Sequence, residues 1–252
     1  MSVFTIGNGN LFSANNKIFK SPWSPNKLDG MVFWGDANSR NIQIENNLIS
    51  EWNDTSGSQN NAVQTTTSFK PTYVENFING FPALYFQNNK CVNIPLTLDY
   101  FTIFTVIKSN NNKTVYEFGD NSSIDSGFVL NGDKKCITVT NSGLSNIASQ
   151  KEYENSWLVD SNWKIIAHQY NGTHSTHRLF INSELKYLST SLDLNGDPGA
   201  LNKSFNLNLG AKSDGSIGSN AYISEYIVFD NYLSTSEIEN ISTYLNQKYQ
   251  IY

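Results

Sequence analysis

Between Leu28 and Phe229 the apolar residues of this chain come in runs of four to eight, each closed by Asn, Gly, Ser or Pro. That punctuation is too frequent for helices and has the spacing of strands in an antiparallel sandwich. Runs at 31–35, 83–87, 91–94, 101–108, 114–118, 127–130, 136–140, 163–170, 177–181, 185–188, 205–211 and 222–229 are the candidate strands. Asn-Gly at 131–132 and 171–172, and Asn110-Asn111-Asn112, mark turns, because Asn and Gly tolerate positive φ. Phe101-Thr102-Ile103-Phe104-Thr105-Val106-Ile107 carries apolar residues on both faces and predicts a strand covered on both sides. No repeat period is visible, which excludes propellers and solenoids. With 252 residues the chain fits one large all-β domain over 28–252, able to bury about three quarters of its unfolded surface without a disulfide or metal.

One helix is expected, from Thr235 to about Lys248. Ser234 and Glu237 have the spacing of a capping box, in which hydroxyl and carboxylate satisfy amides left orphaned at a helix start. Ile238, Ile241 and Leu245 fall on one helix face and should pack on the sandwich. Ahead of the domain, residues 1–27 are polar, broken by Pro22 and Pro25, and lack periodicity. Phe4, Ile6, Phe12, Phe19 and Trp23 are too many apolar points for a solvated linker, so this N-terminal arm is expected to dock on its own domain or on another subunit.

Charge narrows the partners. Net charge is −5 and the only adjacent basic pair is Lys134-Lys135, which speaks against nucleic acid. No apolar run nears the roughly 20 residues of a membrane span. Met1–Asn10 has no basic or apolar segment of a secretory signal, so the expectation is a protein that does not leave a cell by that route. On that ground Cys91 and Cys136 read as core thiols, and the Asn-x-Ser/Thr triplets as chance products of a chain in which about one residue in seven is Asn. That asparagine excess fits either an A/T-rich coding sequence or a neutral, hydrogen-bonding surface suited to glycans and subunit packing.

Four constellations could carry chemistry. Glu225 is a carboxylate on an apolar strand face, sharing it by the period of two with Ile223, Ile227 and Phe229. Burial without a partner would cost several kcal/mol, so either loop amides around Asn53–Asn61 hydrogen-bond it, or it joins Asp54 in a Ca²⁺ site built on that oxygen-rich loop. Paired acids occur at Glu152/Glu154 and Glu237/Glu239, but neither pair has the strand spacing of a glycan hydrolase, and no nucleophile elbow or phosphate loop is present. In the group His168, His174 and His177, the spacing His174-Ser175-Thr176-His177 could suggest a metal pair; exposed hairpin residues after the turn at Asn171-Gly172-Thr173 are the plainer reading, since zinc needs three or four converging ligands. Trp157, Tyr153 and Tyr73 are the aromatics expected in loops, where a ring could stack on a sugar.

The strand ending Phe33-Trp34-Gly35-Asp36-Ala37, the following Trp52-Asn53-Asp54-Thr55-Ser56-Gly57-Ser58-Gln59-Asn60-Asn61, and the terminal Ala221–Asp230 strand with its helix resemble a laminin-G-like domain. The resemblance covers residues 23–250, with strong motifs only at the two ends. It implies a concanavalin A-like jelly roll of two antiparallel sheets, in a class that includes binding modules, adhesins, virion parts and some enzymes. Calcium is carried by some relatives. The lead-in Trp23-Ser24-Pro25-Asn26-Lys27-Leu28-Asp29-Gly30 resembles free-standing domains of bacteriophages and large DNA viruses. It implies a non-enzymatic virion surface protein, such as a head decoration, fibre or tail component. Its expected partners are other virion proteins or its own subunits, with cell-surface glycan as a ligand. A carbohydrate-binding adhesin is the alternative, and a glycan hydrolase the least supported.

Overall fold

The computed structural model describes residues 23–38, 42–96, 98, 100–109, 160–170, 178–186, 207–211 and 218–252 in full, and the remaining strand residues as backbone. Within 1–27, three short strands, β1 (Phe4–Ile6), β2 (Asn10–Phe12) and β3 (Ile18–Lys20), pair antiparallel in a sheet of their own. The segment read as irregular thus has hairpin pairing, in register Phe4↔Phe12 and Phe12↔Ile18. A single 3₁₀ turn, Pro25–Lys27, leads into the main domain.

The strands that follow are β4 (Met31–Asp36), β5 (Ile42–Glu45), β6 (Leu48–Trp52), β7 (Ala62–Val63), β8 (Thr72–Ile78), β9 (Phe81–Gln87) and β10 (Val92–Thr97). Next come β11 (Phe101–Ser109), β12 (Thr114–Phe118), β13 (Ser126–Asn131), β14 (Lys135–Thr140), β15 (Ile147–Glu152) and β16 (Lys164–Tyr170). The chain closes with β17 (His177–Ile181), β18 (Glu184–Leu188), β19 (Ser204–Leu209), β20 (Asn220–Phe229) and the helix α1 (Thr235–Tyr249).

All pairings are antiparallel, and the strands form two layers. One runs β4–β20–β11–β16–β17–β18. The other runs β6–β7–β10–β19–β12–β13–β14–β15. A corner joins them: β9 pairs with β20 along Asn220–Ile223, β8 pairs with β9, and β8 meets β6 at Leu48↔Thr72. The chain is therefore an all-β jelly-roll sandwich with a C-terminal helix: its punctuation predicts the antiparallel sandwich, its capping box the helix, and the laminin-G-like resemblance implies the jelly roll.

Two apolar clusters hold it together. The inter-layer core takes Phe33, Phe101, Ile103, Tyr226 and Val228 from the first layer, and Val92, Ile94, Leu207 and Leu209 from the second. The outer face of the first layer carries Phe104, Val106, Ile165, Ala167, Ile227 and Phe229, covered by Ile238, Ile241, Leu245 and Tyr249 of α1. This explains why β11 is apolar on both faces: one looks into the sandwich and the other under a helix. The capping box forms as its spacing requires, with Glu237 N–H donating to Ser234 Oγ and Ser234 N–H donating to Glu237 Oε2. Glu237 is thereby a cap, not half of a catalytic pair.

The period-of-two reading of β20 needs one correction. The β11–β20 register slips by one residue, from Val106↔Glu225 to Ile107↔Ile223, leaving Ser224 as the extra residue of a bulge. Ile223 consequently lies in the inter-layer core with Tyr226 and Val228, whereas Glu225 stays outside with Ile227 and Phe229. Ser224 is secured by its hydroxyl donating to Pro82 O (2.6 Å) and its carbonyl accepting from Ala37 N–H (2.9 Å). One slipped residue moves Tyr222 to the outer face, which matters below.

Candidate functional site

Glu225 is buried on that outer face and fully engaged. Its Oε1 accepts from the Trp34 indole N–H at 2.8 Å; its Oε2 accepts from Lys248 Nζ at 2.7 Å and from the Tyr249 hydroxyl at 2.8 Å. Lys248 donates equally to Asp36 Oδ2 at 2.7 Å, and Asp36 lies directly across from Glu225 in the β4–β20 register. Two acids and one lysine thus sit under the end of α1, with the ammonium also 4.9 Å from the Tyr249 ring centroid. Burial raises the Glu225 carboxyl above its ordinary value; Lys248 and Tyr249 pull against this and Asp36 adds to it. Burial pulls Lys248 down, but Glu225 and Asp36 more than offset it and leave its ammonium held above the usual range. The partners of Glu225 are helix and strand side chains, not amides of the Asn53–Asn61 turn.

Asp54 lies on the other side of Trp34. Its Oδ1 accepts from the backbone N–H groups of Trp34 and Ser56 at 2.8 Å, and its Oδ2 from Ser56 Oγ at 2.8 Å and Asn60 N–H at 3.1 Å. The same loop donates to the edge of β4 that β20 leaves bare. Thr55 N–H and Oγ1 reach Trp34 O, Asn60 Nδ2 reaches Val32 O, and Ser58 Oγ reaches Met31 O. The Asp-x-Ser-Gly-x-x-Asn-Asn turn therefore stands in for a neighbouring strand, satisfying backbone groups that a bare edge would leave open. Every oxygen of Asp54 and Glu225 accepts from a protein donor, and among the described residues no three His, Cys, Asp or Glu side chains converge.

The other expected positions separate. Tyr73 is not in a loop: it belongs to β8 and packs half-buried against the inter-layer core. Tyr153 and Trp157 lie outside the described residues, as does His174. His168 is buried in β16, where the strand expected over 163–170 forms, edge-on to Phe101 with 5.5 Å between centroids. Cys91 is a buried thiol whose sulfur accepts from Gln64 Nε2 at 3.2 Å. Of the arm's apolar points, Trp23 meets Tyr244 of α1 edge-on at 6.2 Å, while Phe4, Ile6, Phe12 and Phe19 are described only as strand backbone.

Among the described residues a concavity with ligand-like chemistry is present that sequence reading missed. A cleft of about 470 Å³ opens where the end of α1 meets the rim of the first layer, within the 300–1,000 Å³ range of small-ligand sites. Phe77 and Trp163 form its aromatic wall, with ring centroids 6.0 Å apart and planes at 69°. Asn79, Asn162, Asn182 and Gln250 supply amides, and Asp160 is ion-paired to Lys164. Burial would raise the Asp160 carboxyl, but Lys164 and Asn162 outweigh it and hold it below the ordinary carboxylate value. The amides are half used. Asn79 Nδ2 donates to Tyr249 O and Asn182 Oδ1 accepts from Ile165 N–H, which leaves Asn79 Oδ1 and Asn182 Nδ2 without a protein partner among the described residues. Asn79 and Asn182 hold these positions because each sits at positive φ in a tight turn, the conformation asparagine tolerates best. That turn chemistry was visible in the sequence; the meeting of two such turns with Trp163 was not.

The sequence matches no protein-family model and no curated protein. The fold, however, is shared with solved structures. The binding domain of Paraclostridial Mosquitocidal Protein 1 superposes with a TM-score of 0.58 at 14% identity, over 86% of this chain and 53% of that one. Domain 4 of AbnA, an extracellular arabinanase of Geobacillus stearothermophilus solved with arabinotriose, gives 0.58 at 13% identity, over 84% and 98%. Trypanosoma rangeli sialidase, solved with sialic acid, gives 0.55 at 13% identity, over 88% and 33%. This chain thus spans about half of the mosquitocidal domain and a third of the sialidase, but nearly all of the arabinanase domain. At these identities the likeness establishes the β-sandwich fold.

Proposed function

We propose that the protein is a non-catalytic glycan-binding module whose sugar site is the Phe77–Trp163 cleft. The observation that carries the reading is the pairing of an aromatic wall with amides that keep a donor and an acceptor free. Sugars present both apolar C–H faces and hydroxyls, so a site for them needs a ring for the first and convergent amides for the second. The cleft's one cation is tied to Asp160, which favours an uncharged sugar over an acidic one. Similar folds solved with arabinotriose and sialic acid support the class of ligand without naming it.

A broad glycan array is the test. Binding of a defined neutral sugar is expected, unchanged by EDTA, and lowered at least tenfold by Trp163→Ala while the unfolding transition stays cooperative. Asn162→Ala, at an exposed position, should weaken the same sugar without touching the core. A calcium requirement would move the site to Asp54. Binding untouched by both variants would remove the cleft from the reading.

The carrier we propose is a virion, on the resemblance of the Trp23–Gly30 lead-in, with residues 1–27 as the attachment to the particle or to a second copy. Antiserum against the domain is then expected to decorate intact particles. Labelling confined to disrupted particles would refute a surface position.

A further inference from the structure

Helix α1 covers only part of the first layer's outer face, and the uncovered end is neither bare nor random. The bulge at Ser224 turns Tyr222 outward there, and the register sets Lys108, Tyr222, Tyr85 and Thr72 side by side across β11, β20, β9 and β8. Trp163, one residue ahead of β16, extends the row on the Lys108 side. At about 4.8 Å per strand the row is roughly 19 Å long. Tyr85 and Tyr222 stack face to face at 4.3 Å, with planes 11° apart, and Phe77 lies on Tyr222 at 4.1 Å. Phe77 reaches this position because β8 leaves register with β9 between Val74 and Ile78, with Asn76 at φ 51°. Lys108 Nζ stands 5.6 Å from the Phe77 centroid.

We infer that this strip is an extended subsite that takes an oligosaccharide chain leaving the cleft. The inference rests on the cleft being a sugar site, and it adds that the ligand is a chain, not a single terminal sugar. Continuity is the first argument: Phe77 and Trp163 are both the wall of the cleft and the start of the strip. Chemistry is the second. The strip's rings cover one another's faces, and it also carries the mutually hydrogen-bonded phenols of Tyr85 and Tyr222, the Thr72 hydroxyl and the Lys108 ammonium. A wholly apolar partner would strand those polar groups, whereas a hydroxyl-rich chain can satisfy them. Geometry is the third: the row crosses the strands in a line, the shape of a linear ligand.

The test uses the full chain with cello-, xylo- and arabino-oligosaccharides of two to six units, measured by calorimetry. For the series that binds, affinity is expected to rise at least tenfold from two units to six. Tyr85→Ala, whose ring stacks on Tyr222 and not on the cleft wall, should bind the two-unit sugar like the unaltered protein and lose most of that gain. Tyr85→Phe/Tyr222→Phe, which keeps the ring stack, should lose a few-fold at six units only and guards against a folding defect in the alanine variant. Equal affinity at all lengths, or a length gain that survives both variants, would overturn the subsite while leaving the cleft as a sugar site. Absence of binding to every length, on the array as well, would overturn the cleft and the strip together.

Discussion

Lys248→Met is expected to destabilise the protein by about 3–5 kcal/mol at neutral pH, the cost of leaving a buried charge without its counter-charge. Methionine preserves helix propensity and most of the stem's volume, so the loss reports the ammonium. Without it, Glu225 and Asp36 face each other across the β4–β20 pair with no cation between them. The pH dependence identifies the cause. Glu225 is already raised in the folded state by burial, so the folded form binds its proton more tightly than the unfolded chain does. Its contribution is therefore most favourable below the ordinary glutamate value and declines as pH climbs to the folded value. Removing Lys248 takes away the attraction that opposes this, so the variant should regain part of its deficit on going from about pH 7.5 to about pH 5. Lys248 itself is raised, so its own contribution in the unaltered protein holds below the ordinary lysine range and is lost as pH rises through the folded value. Glu225→Gln should cost less, about 1–2 kcal/mol, because Lys248 keeps Asp36 and the amide oxygen can still accept from Trp34. Urea unfolding at both pH values decides it. A Lys248→Met loss under about 1 kcal/mol, or one equal at both pH values, would show that the ion cluster is too wet to matter.

Glu225 also marks how far the sequence could be read. An acid among Ile and Phe in a terminal strand announces burial and the need for a partner, and both hold. The partner could not be named, because Lys248 reads locally as an ordinary basic residue of a last helical turn; only the packing of α1 over the first layer places its ammonium between two strands. The bulge at Ser224 was equally hidden, since a period of two has no local sign that it slips. Strand β5 and the hairpin Ile42–Trp52 were passed over for a different reason. β5 is a largely exposed edge, and in β6 the buried Ile49 and Trp52 are separated by Ser50 and Glu51, so neither strand forms an apolar run, although Asn46-Asn47, both at positive φ, is the hairpin turn that such a pair favours. Runs of apolar residues therefore reveal strands buried along their length and miss short ones that bury only scattered side chains. The cleft was hidden for the same kind of reason: Asn79 and Asn182 are turn residues and Asn162-Trp163 leads into β16, segments that only the β8–β9 corner, the β16–β17 pairing and the end of α1 bring together.

Asp54→Ala is the second large effect, on the order of 3 kcal/mol, and it concerns the motif that most clearly suggested the fold. The substitution leaves the N–H groups of Trp34, Ser56 and Asn60 without an acceptor. An orphaned buried donor costs about 1–3 kcal/mol, and partial exposure of the loop keeps the sum toward the lower end. Asp54→Asn retains one oxygen for Trp34 and Ser56 and should cost about half as much. Because the loop caps the edge of β4, the damage should spread along that strand. Hydrogen exchange is expected to quicken at the Trp34 amide and at Thr55, whose N–H bonds to Trp34 O, before it quickens in β11. Adding calcium in millimolar amounts should shift neither the unaltered protein nor the variants. If calcium stabilises the unaltered protein and not Asp54→Ala, the carboxylate is a cation ligand and the edge-capping role is secondary. If calcium changes nothing and the exchange pattern follows β4, the conspicuous acid of the motif is there to finish a strand, and ligand recognition is left to the amide-lined cleft beside α1.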